Sequence, residues 1–269
     1  MAMSRGNGTS LLQRRRTKTV KDRMKQSESD VGNTEMDEEN VDDTLPLIVT
    51  EDQSNNKLKI FNAALNLLIH ILIGATVGIA LLYSFKKGPM NATTIHIVLC
   101  VLGYQLLMAQ AILCLSPHNS WSSSLKLLQK RQAHWILQIL GSALAIAGSF
   151  VKILDKTSHW NTLHGQFALV ALVFTVASLV NGITSLYAYE LRRIMPGTLS
   201  KITHIIFGTV AFGAACISLC YGFDKGSFRK WASAPMAATV ITFTATFTFI
   251  IIVNPLVIFV DKTLRVIRR

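Results

Sequence analysis

From about residue 57 onward the chain is written in long apolar blocks separated by short polar ones. Six blocks, at about 61–83, 93–115, 133–154, 164–187, 202–223 and 236–260, each reach the roughly 20 residues that carry a helix through a bilayer. A helix is the form such a block takes in lipid, because it satisfies every backbone N–H and C=O internally. The connections are short and hold turn residues, as at Gly88-Pro89, Ser116-Pro117 and Pro196-Gly197, so neighbouring helices should run antiparallel. The pattern predicts an all-α fold, an integral-membrane six-helix up-and-down bundle over residues 57–262. A charged tail at 1–56 precedes it and a short basic tail at 263–269 follows.

Composition sharpens this picture. Half of the 269 residues are hydrophobic and 16% are charged, below the roughly one quarter of a soluble domain. Eleven of the 15 acidic residues lie between Asp22 and Asp52, and eight Lys and Arg lie before Gln26. Such segregated charge with few aromatics cannot bury a core, so the tail should be disordered. No apolar run follows the first charges, so the first span should act as the membrane signal. Of the remaining Lys and Arg, twelve fall on the face holding both termini and seven on the other, which predicts cytoplasmic termini. The net charge of +12 is spread over membrane loops rather than along one folded surface, which excludes a nucleic-acid partner. A sequon at Asn91-Ala92-Thr93 abuts the second span, where a modifying enzyme has little exposed chain to work on. Cys100, Cys114, Cys216 and Cys220 lack the spacing of a zinc site and read as packing residues.

Ionisable side chains at membrane depth are costly and mark function. His96 opens the second block, His134 the third, His164 the fourth and His204 the fifth. Alternate helices begin on opposite faces, so His96 and His164 share one level and His134 and His204 the other. Two histidines on facing helices are too few for zinc, and no Cys, Asp or Glu lies at either depth to complete a set. They suffice for haem iron, whose other four ligands come from the porphyrin. Iron held by histidine on both sides has no open position, which leaves electron transfer. A haem near each surface would form a path through a core of about 30 Å. Gly103, Gly141 and Gly208 lie one or two turns beyond a histidine on its own face and should leave room for a macrocycle edge.

Several motifs carry a resemblance: His134-Trp135-Ile136-Leu137-Gln138, His159-Trp160-Asn161-Thr162-Leu163-His164-Gly165-Gln166, the span end Leu115-Ser116-Pro117, and the spacing of the four histidines. Over about residues 60–260 the chain resembles the cytochrome b-561 family of transmembrane ascorbate-dependent reductases, in particular its short stand-alone branch of endoplasmic-reticulum or vesicle membranes. The resemblance implies two b-type haems per chain in the four central helices, ligated second-to-fourth and third-to-fifth. It also implies cytoplasmic ascorbate as donor and monodehydroascorbate radical or ferric iron as acceptor. Two departures stand out: Ile97 follows His96 where the family often has proline, and the long N-terminal tail is additional.

Under this reading Lys126, Lys130, Arg131, Arg193 and Lys201 form a positive cytoplasmic mouth for an anionic reductant, and Lys152, Lys156 and His159 the mouth opposite. His118 should be solvated in its loop. His70, in the first span and without a partner among the four, should bond a neighbouring helix. A homodimer in the bilayer is compatible with this reading. Two other classes compete: a non-redox transporter relaying protons through the histidines, and a haem-free scaffold in which they only pack.

Overall fold

The computed structural model describes residues 45–86, 89–187 and 197–268; among these the chain is helical, with no strand. The helices are α1 (Leu45–Phe85), α2 (Ala92–Leu113), α3 (Leu127–Leu154), α4 (Leu163–Leu186), α5 (Gly197–Phe223), the short α6 (Gly226–Ala232) and α7 (Ala234–Ile267). All but α6 contain a stretch long and apolar enough to cross a membrane. The protein is thus a multi-pass, all-helical membrane protein, as the block pattern predicts. α1 begins at Leu45, so the end of the segment expected to be disordered is helical. Residues 1–44, with the basic cluster, lie outside the described residues, as do Lys87, Arg192 and Arg193. Residues Leu58–Arg269 pack as one compact unit.

Each peripheral helix buries one stripe. On α1 it is Ile69, Leu72, Ile73, Thr76, Val77, Ala80 and Tyr83; on α7 it is Ala237, Val240, Thr244, Phe247 and Ile251. In both, each position has another three or four residues away, the period that keeps a helix face on its neighbour. Large apolar residues off the stripes, such as Leu67, Ile71, Leu82, Val180 and Phe249, are exposed, as lipid contact requires.

Hydrophobic burial does not hold helices together in lipid; close approach does. A Cβ on Gly103 would stand 2.7 Å from both the Ala145 amide nitrogen and the Gly141 carbonyl oxygen, and one on Gly141 would stand 3.0 Å from the Gly103 oxygen. The two glycines seat α2 on the backbone of α3. The expectation that they make room for a macrocycle edge is therefore corrected: the facing helix fills that space. A Cβ on Gly208 would stand 3.2 Å from Ser178 Oγ, so Gly208 fits α5 against α4. The middle of α2, Val101–Met108, is π-helical and includes Gly103.

The loop between α2 and α3 is not the solvated connection its polarity suggests. Asn119 and Ser122 are fully buried, and Asn119 Oδ1 accepts from His70 Nε2 at 3.0 Å and Asn66 Nδ2 at 3.2 Å. Gln110 Nε2 donates to His70 Nδ1 at 3.1 Å, Trp121 Nε1 donates to Gln110 Oε1, and the Ser120 amide donates to Asn66 Oδ1. His70 thus finds its partners on α2 and on the loop. His118 is exposed. The polar set latches α1 to the end of α2, around a cavity of about 320 Å³ lined by Asn66, His70, Gln110 and Trp121.

Candidate functional site

Four helix starts place the four histidines. Asn91 caps α2, its Oδ1 accepting from the Thr94 amide at 3.0 Å, and Thr162 caps α4 by accepting from the Gly165 amide. Asn91, the sequon residue, therefore already uses its carboxamide as a helix cap. His96 and His164, just inside these caps, share one end of the bundle. His134 and His204, about two turns into α3 and α5, share the other.

The imidazoles meet as two pairs. The ring centres of His96 and His164 are 6.2 Å apart with planes at 88°, and those of His134 and His204 are 6.2 Å apart at 89°. Two imidazole nitrogens on opposite sides of one metal, each at about 2 Å with about 1.2 Å from nitrogen to ring centre, give roughly 6.4 Å between ring centres. Both gaps thus have the width of a single bridging metal. Each ring is held by its other nitrogen. Nδ1 bonds a backbone carbonyl in every case: His96 to Gly148 at 2.9 Å, His134 to Ala111 at 2.7 Å, His164 to Ser218 at 2.8 Å and His204 to Ser178 at 3.1 Å. A carbonyl can only accept, so Nδ1 carries the proton and Nε2 keeps its lone pair for a metal. Among the described residues no group of three or more His, Cys, Asp or Glu could complete a metal site. A metal held by either pair would have to bring its remaining ligands with it, as haem iron does.

A spacing rule underlies this arrangement. On α4, Ser178 lies fourteen residues after His164; on α5, Ser218 lies fourteen after His204; on α3, Gly148 lies fourteen after His134. These are the acceptor residues, so each helix of an antiparallel pair carries one imidazole and, about 21 Å further on at 1.5 Å per residue, the carbonyl that orients its neighbour's. On α2 the interval from His96 to Ala111 is fifteen. The π-helical turn lies within that interval and takes up the extra residue, which brings Ala111 to the same phase. Four residues further along α4 and α5 stand Gly182 and Gly222. A Cβ on Gly182 would be 3.2 Å from His204 Cε1, and one on Gly222 would be 3.5 Å from His164 Cε1. Sequence reasoning missed Ser178, Ser218, Gly182 and Gly222. The signal was present as His-x13-Ser-x3-Gly, written once in each of the two helices.

The residues expected at the mouths divide. Lys152, Lys156, His159, Trp160 and Asn161 line one cavity with His96 and His164. Lys152 Nζ is engaged there, with Asp155 Oδ2 at 2.6 Å and Thr93 Oγ1 at 2.8 Å, whereas Lys156 and His159 are exposed. Trp160 enters the loop with φ of 59° and accepts from Gln166 Nε2 on its carbonyl. At the other end Lys126, Arg131 and Lys201 are exposed. Lys130 is buried, and its Nζ donates to the Ser116 carbonyl at 3.2 Å. It closes the end of α2 and does not face solvent as a substrate arm, a correction to the expectation. Arg193 lies outside the described residues.

A helical membrane bundle with two facing imidazole pairs, one towards each end, defines a class: multi-pass membrane proteins with paired histidines inside the bundle. The sequence comparisons narrow it. Residues 95–229 match the family model described as eukaryotic cytochrome b561, and the chain belongs to that family. Transmembrane reductase CYB561D2 of Mus musculus is 30% identical over 168 residues, 61% of this chain and 72% of the relative. The Homo sapiens protein of the same name is 30% identical over 156 residues, 56% of this chain and 68% of the relative. Membership implies b-type haem and transmembrane electron transfer.

Proposed function

We propose that this protein oxidises ascorbate on the cytoplasmic side of its membrane. On the opposite side it reduces monodehydroascorbate radical or ferric iron. Two b-type haems serve it, one between His96 and His164 and one between His134 and His204. The observation that carries the reading is the pair of 6.2 Å imidazole gaps, each ring fixed through Nδ1. When bound, a haem ligated on both sides supplies a one-electron couple with no coordination site left for oxygen or substrate. The relatives' name, transmembrane reductase, supports an oxidoreductase.

The chain's own residues do the rest. The four carbonyls hold the imidazoles in one tautomer, so little rearrangement accompanies a change of charge. Arg131 and Lys201, exposed near the starts of α3 and α5, attract an anionic reductant to the His134 and His204 end. Lys156 and His159 offer charge and hydrogen bonds to an acceptor at the cavity beside His96 and His164. The excess of Lys and Arg on the first of these faces supports its placement in the cytoplasm. Endoplasmic-reticulum or vesicle membranes fit the branch the motifs resemble.

The test is direct. Protein purified from haem-supplemented cells is expected to hold about two b-type haems per chain, the number that two bis-histidine sites require. Sealed vesicles loaded with ascorbate are expected to reduce external ferric chelate only when they contain the protein. A colourless preparation, or vesicles no faster than protein-free ones, would overturn the reading.

A further inference from the structure

The four Nδ1 hydrogen bonds are not equal. His164 Nδ1 lies 2.8 Å from the Ser218 carbonyl oxygen and also 3.1 Å from Ser218 Oγ. The Ser218 hydroxyl spends its proton on the His164 backbone carbonyl at 2.9 Å, so it presents lone pairs to the ring. The Nδ1–H of His164 is therefore shared between two acceptors of one residue. His204 has the same two acceptor atoms at longer range, the Ser178 carbonyl at 3.1 Å and Ser178 Oγ at 3.4 Å. His134 has the Ala111 carbonyl with no hydroxyl, and His96 has the Gly148 carbonyl with the Cys100 thiol at 3.5 Å. Each imidazole pair thus contains one ring backed by a serine hydroxyl and one that is not.

An acceptor on Nδ1–H pushes electron density towards Nε2 and raises the basicity of the ligand. A more basic ligand favours ferric over ferrous iron and lowers the reduction potential. We infer that Ser218 and Ser178 are positioning residues whose hydroxyls, by doubling the acceptor at the facing imidazole, each lower the reduction potential of one haem alone, Ser218 the more strongly. The inference rests on the ligation proposed above. Because both serines also supply the backbone carbonyl, replacing either by alanine removes the second acceptor while keeping the first and, with it, the tautomer.

The experiment is a spectroelectrochemical titration of the full-length holoprotein in detergent, comparing wild type with Ser218→Ala and Ser178→Ala. Electron paramagnetic resonance of the oxidised state reports whether both irons keep two histidine ligands. Ser218→Ala is expected to raise one haem's reduction equilibrium constant about threefold to tenfold, tenfold being 59 mV for one electron, with the other haem unmoved. Ser178→Ala should raise the other haem's by less. Ser218→Thr, which restores a hydroxyl, should return the midpoint towards wild type and guards against a shift caused by misfolding alone. Two wild-type midpoints that neither alanine variant moves, or that both variants move together, would overturn this inference and leave the ligation standing. A wild type without two bis-histidine haems would overturn both.

Discussion

At the scale of single residues, the imidazoles are positioned as much by what is missing beside them as by what they bond. Gly182 and Gly222 occupy equivalent places on α4 and α5, yet the clearances differ. An added Cβ at Gly222 would meet His164 Cε1 at 3.5 Å, an ordinary contact, while one at Gly182 would meet His204 Cε1 at 3.2 Å, so the ring must give by a few tenths of an ångström. Gly182→Ala is therefore expected to weaken haem retention at the His134 and His204 end about tenfold, the lower end of effects from groups that orient metal ligands. Gly222→Ala should change little at the other end. Haem loss to an excess of scavenging apoprotein, followed by absorbance, measures both. The four histidines were legible in the sequence because ionisable groups in apolar blocks are conspicuous. The serines and glycines around them were not, since Ser and Gly in a membrane helix look alike whether they orient a ligand or seat a neighbour. The same ambiguity holds for Gly103 and Gly141, whose spacing from the histidines suits cofactor clearance although they lie against helix backbone.

At the scale of helices, α2 and α3 meet where backbone atoms touch, and such a contact cannot yield as a flexible side chain does. Gly103→Ala places a methyl 2.7 Å from the Ala145 nitrogen and Gly141 oxygen and is expected to cost about 1–3 kcal/mol, the usual range for overpacking. Gly74→Ala on α1, where no atom beyond its own stretch of helix lies within 4 Å, is the control and should leave stability unchanged or raise it by up to about 1 kcal/mol. Thermal unfolding in one detergent compares the two. The latch makes a second prediction at this scale. Asn119→Ala removes the acceptor shared by Asn66 and His70 and strands buried polar groups, at a cost of roughly 1–3 kcal/mol. It should also increase proteolysis in the loop between α2 and α3, and an unchanged cleavage rate would show that the latch is dispensable. Block length and polarity located the six spans but not the start of α1 at Leu45, the π-helical turn in α2 or the buried loop. Each of these depends on tertiary partners, and a loop rich in Ser and Asn looks the same whether water or α1 satisfies it.

For the whole molecule, the proposed function makes the arrangement an ordered path with an entrance and an exit, and such an order has consequences that no single site has. If electrons enter at the His134 and His204 end, His134→Ala or His204→Ala should abolish both reduction by ascorbate and delivery to an outside acceptor. His96→Ala or His164→Ala should leave one haem reducible by ascorbate at close to the wild-type rate while delivery across the membrane stops. The asymmetry is the discriminating result, because loss of fold would remove both haems in all four variants and a non-redox role for the histidines would leave delivery untouched. Charge placement sharpens the assignment of the entrance. Arg131 and Lys201 are exposed at one end and Lys156 at the other, so Arg131→Gln with Lys201→Gln should slow reduction by ascorbate severalfold at low salt and progressively less as salt screens the attraction. Lys156→Gln should leave that step unchanged and slow only transfer to an anionic acceptor. Stopped-flow reduction at two ionic strengths, paired with the vesicle assay, separates the two ends, and a salt response that followed Lys156 instead would reverse the direction of the path.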